Sequence, residues 1–274
     1  MSSYRRKAYA KINIGLSVGK KMDNGFHPIR SYFALLDFSD DLAISVEDSD
    51  SFSCVIKSNV SYLEEGKCDI MEKCAKAFSD KIKKPFSINI NIDKHIPSKA
   101  GLGGGSSDGA AVLKVLNEHF GAILDFDSLL SLALSVGSDI PFFLYDTSFA
   151  YVTGRGECIK PLPLPSTFDS VLLFFPDEEV STKGAYQKLD GMDYPFVELP
   201  SDLSFPLDKN LFPNDFERVC GSRVLDDVLT SYDRYAYASL SGSGSTVFVL
   251  MDSSEKEALM KMAPHDFIVK SFLR

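Results

Sequence analysis

From residue 86 to residue 92, apolar and polar side chains alternate, with Phe86, Ile88, Ile90 and Ile92 set against Ser87, Asn89 and Asn91. That period of two predicts a strand with one buried face. Further on the period changes. Val112, Leu113, Leu116 and Phe120 recur at helical spacing, which predicts an amphipathic helix. Between the two stands Pro97-Ser-Lys-Ala-Gly-Leu-Gly-Gly-Gly-Ser-Ser-Asp108. Gly101, Gly103, Gly104 and Gly105 lack a Cβ, so the backbone there can take left-handed angles and come close to a ligand. Ser106, Ser107 and Asp108 are good N-cap residues, and they leave free amides at the positive end of the helix. Strand, glycine-rich loop and helix start together make an anion site, most simply one for a phosphate; the alternative is a surface turn.

The same patterns divide the rest of the chain. Residues 8–18 read as a strand that puts Lys11 and Asn13 on one side. Taken alone, Lys11 reads as an edge-strand residue facing water, because an unpaired internal charge is costly. Asp23-Asn-Gly25 is a turn signal, followed by Phe26-His-Pro28. Strands are expected at 32–38, 42–46 and 51–57, giving an antiparallel opening, and a helix at 69–78. Asp127 is the expected cap of a leucine-rich helix at 128–136, which Gly137 ends. Asp139 then lies between that helix end and an apolar segment read as a strand from Ile140 onward. Such a position suits catalysis, and equally a capping or turn role.

Gly154-Arg-Gly-Glu157 is a tight turn, and the prolines that follow place a domain boundary near residue 157. Beyond it come a strand at 170–175 and a short helix at 182–189. A further helix, capped by Asn214 or Asp215, carries Phe216, Val219, Leu225 and Val228. A second glycine-rich loop, Ser239-Leu-Ser-Gly-Ser-Gly-Ser-Thr246, leads into a strand at 247–251. A helix from Ser253 or Ser254 to about Met262 and a strand at 267–272 close the chain. Strands and helices in this order predict a sheet covered on one face.

Composition narrows the partner. The 274 residues, 45% of them hydrophobic, suffice for one large domain or two ordinary ones. A net charge of −9 argues against nucleic acid and anionic membranes, which reward a basic surface. An anionic ligand must then be held by local amides and a few lysines. Cys54, Cys68, Cys74, Cys158 and Cys220 form no CxxC pair, so a reducing cytosol is expected. The histidines His27, His95, His119 and His265 show no zinc spacing. Neither a signal core nor a bilayer-spanning run is found, so a soluble, cytoplasmic protein is expected.

Several phosphate-binding patterns are excluded. No Gly-x-x-x-x-Gly-Lys-Ser/Thr occurs, Ser106 stands where a dinucleotide fingerprint needs its third glycine, and the protein-kinase loops are missing. What remains resembles the GHMP family of small-molecule kinases. Its pattern Pro-x-x-x-Gly-Leu-Gly-x-x-Ser-Ser is similar to Pro97 through Ser107. Leu240-Ser-Gly-Ser-Gly-Ser-Thr-Val-Phe248 resembles a further motif, and the strand around Lys11 the first. Ala10-Lys-Ile-Asn13, Asp23-x-Gly25-Phe-His27, Gly-Gly-Gly-Ser-Ser-Asp108, Gly137-Ser-Asp-Ile-Pro-Phe142 and Asn214-Asp-Phe-Glu217 resemble one branch across nearly the whole chain. That branch phosphorylates the 2-hydroxyl of a cytidine-diphosphate-linked methylerythritol in non-mevalonate isoprenoid precursor synthesis.

The resemblance implies an α+β fold of two domains, 1–157 ribosomal-protein-S5-like and 158–274 ferredoxin-like, with the active site in the cleft between. It implies that Lys11 and Asp139 meet as the catalytic pair, Asp139 taking the proton of the substrate hydroxyl. It places ATP on Lys94, Pro97, Gly101, Leu102, Gly103, Gly104, Gly105, Ser106, Ser107 and Asp69, with Mg2+ on unknown ligands. Phe26 and Tyr186 would stack on the cytosine with His27 at its edge, while Asn13, Phe33 and Thr182 line the polyol. Core packing is the alternative for Phe26 and Tyr186. The chain departs from the pattern at Phe26, where tyrosine is usual, at Asp69, where asparagine contacts adenine, and at Gly109 in place of alanine. A carboxylate cannot donate as an amide does. The resemblance implies a monomer or weak homodimer. Alternatives are another GHMP kinase of homoserine or mevalonate type, or a non-catalytic nucleotide sensor of the same fold.

Overall fold

The computed structural model describes residues 2–64, 69–168, 170–176, 180–203, 207–232, 237–251, 257–258, 261 and 267–272. In chain order the elements are β1 (Ser2–Val18), β2 (Ile29–Asp48), β3 (Ser53–Ser58), α1 (Ser61–Glu64), α2 (Ile70–Ile82), β4 (Phe86–Asp93), α3 (Gly104–His119), α4 (Phe126–Val136), α5 (Ile140–Leu144), β5 (Phe149–Gly154), β6 (Cys158–Pro161), β7 (Ser170–Phe174), α6 (Thr182–Asp190), α7 (Glu217–Cys220), α8 (Arg223–Tyr232), β8 (Ala238–Leu240), β9 (Val247–Met251) and β10 (Phe267–Ser271). They gather into two compact units, each drawn from separated stretches. One holds Met1–Ala10, Phe38–Ser98 and Gly103–Asp146, the other Lys11–Asp37, Lys99–Leu102 and Thr147–Arg274.

In the first unit β4 pairs antiparallel with β2, from Asp41 opposite Asp93 to Asp48 opposite Phe86, and parallel with β3. The apolar residues of its alternation, Phe86, Ile88, Ile90 and Ile92, are all buried. Phe86 packs on Phe120, just past α3, and Phe120 stacks on Phe78 of α2. Helix α3 packs on α2 and α5. Where the sequence predicts two strands, β2 runs unbroken for 20 residues. The polar pair Ser39-Asp40 reads as an interruption, yet Asp40 is 0% exposed and fully used. Its Oδ1 accepts the amides of His95 at 2.6 Å and Ile96 at 2.9 Å, and its Oδ2 takes the ammonium of Lys94.

One helix start and one strand differ from expectation. Asp125, rather than Asp127, caps α4 by accepting the Ser128 amide at 2.8 Å. The strand expected from Ile140 is the short helix α5, with Pro141 in its first turn, where a missing amide costs nothing. All five of its residues are buried, so no periodicity distinguishes helix from strand there.

In the second unit β5 pairs antiparallel with β2, Ile29 opposite Gly154 to Ala34 opposite Phe149, and with β6. A separate four-stranded sheet has the order β10-β7-β9-β8, every pair antiparallel. That is the strand order of a ferredoxin-like βαββαβ unit. Helix α8 packs on β8 and β9, burying Leu225, Val228 and Tyr232 against Leu172, Phe174, Leu240, Val247 and Val249. The single helix expected after Asn214 is two, α7 and α8, parted at Gly221-Ser222. The helix expected at 253–262 falls largely outside the described residues. Among the described residues no helix is long and apolar enough to cross a membrane.

Candidate active site

The two glycine-rich loops hold each other. In the second unit Gly101 has φ +76°, and a Cβ built on it would stand 1.9 Å from the carbonyl oxygen of Ser241. Ser241 Oγ donates to Gly101 O at 2.9 Å, and the Thr246 amide donates to Ala100 O at 3.2 Å. Close approach of the other loop's backbone is therefore a reason of its own for glycine at this position. Leu102 O accepts the backbone amide of Lys11 at 2.9 Å, tying β1 to the same loop.

Lys11 is buried, 3% exposed, rather than facing water. Its ammonium donates to Asn13 Oδ1 and lies 4.8 Å from the centre of the Phe33 ring. Asn13 in turn donates to Ser31 Oγ at 3.1 Å, and Ser31 Oγ donates to Gly15 O at 2.6 Å. The strand lysine is therefore held from its own strand, through a serine that sequence reasoning missed. Alternation on β1 identifies Asn13; nothing in the pattern around Ser31 points to it.

The first unit supplies the helix start. Helix α3 is capped by Gly103 in left-handed geometry (φ +70°) with no side-chain cap, so Ser106, Ser107 and Asp108 lie inside its first turns instead of capping it. The Ser107 amide already bonds to Gly103 O at 2.9 Å, which leaves Gly104, Gly105 and Ser106 as the first-turn amides without an intrahelical acceptor. Beneath them lies a cluster that sequence reasoning missed. Lys94 is buried between Asp40 and Asp108, 2.8 Å from Asp108 Oδ2. Its ammonium sits 3.5 Å from where a Cβ of Gly104 would be. Lys94 thus places positive charge behind the first turn, held by two carboxylates. Asp69 caps α2, its Oδ1 accepting the Met71 amide at 2.7 Å, which asparagine would also do.

Asp108 Oδ1 is buried without a hydrogen-bond partner among the described residues. Burial pushes the Asp108 carboxyl up to about 7, against the pull of Lys94 and with help from Asp40. An acid whose pKa rises on folding contributes stability that is complete below its ordinary value of 3.8 and is lost as pH climbs to about 7. We expect wild type to lose on the order of 3 kcal/mol more stability than Asp108→Asn between pH 4 and pH 8. Urea unfolding across that range measures it, and parallel profiles for the two proteins refute it.

Asp139, also in the first unit, is the N-cap residue of α5, with its side chain making no capping bond. The carboxylate is thus not spent on holding the helix. A Cβ on Gly137 before it would stand 3.2 Å from Ile140 Cδ1, so the isoleucine side chain would have to shift by a few tenths of an ångström.

In the second unit the His27 ring stacks on Tyr186, centroids 4.6 Å apart at 20°, and His27 Nε2 is 2.7 Å from Asp190. Tyr186 meets Phe216 edge-on. Phe26 is 43% exposed, with the Arg155 guanidinium 4.5 Å from its ring centre. The structure thus brings His27 and Tyr186 together directly and puts a cation beside Phe26. Asp190 and Arg155 are partners the sequence did not announce, although the turn around Arg155 is plain in it. Thr182 Oγ1 lies 2.9 Å from Ser243 Oγ in the second glycine-rich loop.

That loop is held by the Asn214-Asp-Phe-Glu217 motif. Asn214 Nδ2 donates to Leu240 O and Gly242 O, both at 2.9 Å. Glu217 Oε1 accepts from Ser239 Oγ, the Leu240 amide and Lys209. Asp215 Oδ2 accepts the Val18 amide at 2.8 Å at the end of β1. The motif is scaffold, with its polar side chains turned inward.

A domain described as "GHMP kinases N terminal domain" matches residues 69–147. A curated relative from Chlorobium limicola, a 4-diphosphocytidyl-2-C-methyl-D-erythritol kinase, is 35% identical over 95% of this chain and 93% of its own length. The chain belongs to that kinase family. A solved 4-(cytidine 5'-diphospho)-2C-methyl-D-erythritol kinase superposes with a TM-score of 0.71 at 28% identity, covering 98% of this chain and 99% of that one. A mevalonate kinase at 13% identity, with a TM-score of 0.67 and coverage of 99% and 100%, shares the fold. Membership accounts for the buried strand lysine and the two interlocked loops as parts of a phosphotransferase. It also gives Asn214-Asp-Phe-Glu217 a reason to stand far along the chain from the first loop, because its bonds brace the second.

Proposed function

We propose that this chain transfers the γ-phosphoryl group of ATP to the 2-hydroxyl of 4-diphosphocytidyl-2-C-methyl-D-erythritol. The observation that carries the reading is the likeness to kinases of this name along 95% of the chain, whose sequence carries Lys11, Asp139 and both glycine-rich loops. Asp139 accepts the proton of the substrate hydroxyl. Lys11, oriented by Asn13, neutralises charge that builds on the transferred phosphoryl group. The first-turn amides of α3, with Ser106 and Ser107, hold nucleotide phosphates, and Lys94 adds its charge from behind them. In such reactions positioning and electrostatics supply most of the catalysis.

Magnesium belongs to the proposal as well, supplying charge neutralisation at the β- and γ-phosphate oxygens. Among the described residues no group of three or more His, Cys, Asp or Glu side chains is placed to hold a metal. Mg2+ is commonly bound through substrate phosphates and one or two carboxylates. For the cytidine end the proposal keeps Phe26 and Tyr186 as stacking rings and His27 as the edge contact, with Asn13, Phe33 and Thr182 toward the polyol. Ring stacking holds a base without a basic surface, as an acidic chain requires. The division into domains 1–157 and 158–274 is part of the same reading.

The test is turnover with ATP and the cytidylated substrate beside homoserine, mevalonate and galactose, followed as ADP release. ADP release is expected only with the cytidylated substrate. Turnover confined to one of the small substrates overturns the substrate assignment and leaves the kinase assignment standing.

A further inference from the structure

Helix α6 holds His27 from two sides. Tyr186 and Asp190 stand four residues apart on it, about one turn, and so share a face. Both reach the same imidazole: its ring stacks on Tyr186, and its Nε2 lies 2.7 Å from Asp190 Oδ1. All three residues belong to the second unit. Tyr186 is braced in turn, since Phe216 meets it edge-on with ring centres 4.9 Å apart. His27 also leaves a fixed turn, in which Asn24 Oδ1 accepts the Phe26 amide at 3.0 Å and Phe26 O accepts the Met22 amide at 2.8 Å. The histidine side chain that results is only 7% exposed.

Asp190 is poorly placed for its own helix. It is the last residue of α6, where the helix dipole disfavours negative charge. It also lies in none of the motifs that carry the family resemblance. His27 gives the position a reason. An ionised carboxylate can only accept, so the bond at 2.7 Å puts the ring proton on Nε2. The other neutral tautomer would set the Nε2 lone pair against the carboxylate. Nδ1 is then the acceptor nitrogen of the ring. On the edge of cytosine the one donor is the 4-amino group, where uracil carries a carbonyl oxygen instead. We propose that Asp190 is a positioning residue for base selection: it holds His27 in the Nε2–H form, so that Nδ1 accepts the 4-amino group of cytosine and repels the 4-oxygen of uracil. The inference rests on the reading of His27 as the edge contact of a cytidine-bearing substrate.

Calorimetric titration with CDP and with UDP tests it at pH 8, where a histidine that titrates at its ordinary value of about 6.5 is neutral. Wild type is expected to favour CDP by about tenfold, the size of one hydrogen bond. Asp190→Asn keeps the side-chain shape and removes a charge that the helix end disfavours, so the fold should hold. Its amide can donate as well as accept and therefore admits both tautomers of His27. The preference for CDP should then collapse to near parity, a change in ratio rather than a loss of both nucleotides. Asp193→Asn removes the same charge three residues on, at an exposed side chain paired with Lys20, and should keep the wild-type preference. Nitrogen-15 NMR of a chain with four histidines reads the tautomer itself, and His27 of wild type should carry its proton on Nε2 at pH 8. A proton on Nδ1 or on both nitrogens overturns the proposal. So does a wild type that does not prefer CDP, or an Asp190→Asn protein whose ratio stays within twofold of wild type. A wild-type protein that binds neither nucleotide overturns the cytidine reading itself, and this inference with it, which is a different result.

Discussion

Asp139→Asn is expected to lower turnover by about 10²–10⁴-fold while ATP affinity stays close to wild type. On the proposed mechanism the substitution removes the proton acceptor while keeping the shape of the side chain. Asparagine has the same shape and is itself a good residue at a helix start, so the segment that leads into α5 should keep its conformation. The aspartate makes no capping bond that the change would break. Turnover with the cytidylated substrate and nucleotide affinity by calorimetry should therefore separate. Near-normal turnover would remove Asp139 from the chemistry. A parallel collapse of turnover and ATP affinity would make it a structural residue.

Gly101→Ala is expected to destabilise the protein by roughly 3 kcal/mol or more, with nucleotide binding lost alongside. Two costs add. The left-handed angle of φ +76° disfavours any Cβ, by about 1–2 kcal/mol. The new methyl would also stand 1.9 Å from Ser241 O and 3.1 Å from Gly244 O, both backbone atoms that cannot rotate away. Gly105→Ala is the contrasting case. Its Cβ meets only Ile70 Cγ2, at 3.5 Å, within α3, so helix propensity should raise stability by up to about 1 kcal/mol. Urea unfolding of the two variants compares them directly, and equal destabilisation would contradict the geometric account.

The sequence made most of the elements legible because alternation and helical spacing survive wherever one face is buried and the other wet. Strand β4 is the clearest instance. The pattern misled where burial is complete or where a buried charge is privately satisfied. Residues 140–144 are apolar on every side, so strand and helix look alike, and Asp40 reads as a break because its partners come from the 94–96 segment. The glycine-rich loop was legible as a loop, and its likeness to a kinase family supplied its purpose. The reason for Gly101 was not legible, because Ser241 is 140 residues away along the chain. Partners such as Ser31, Asp190 and the Asp40–Lys94–Asp108 cluster carry no local signature either. Each is a polar residue made significant only by long-range contact.

Lys11 is anchored at both ends, its amide to Leu102 O in the glycine-rich loop and its ammonium to Asn13. The first anchor is indifferent to side-chain identity. A displacement of the loop by a few tenths of an ångström would reach the cation through the peptide plane of β1, with no rotamer change required. The loop and the charge are in this sense one mechanical part, and the lysine behaves as a lever whose fulcrum is a backbone hydrogen bond.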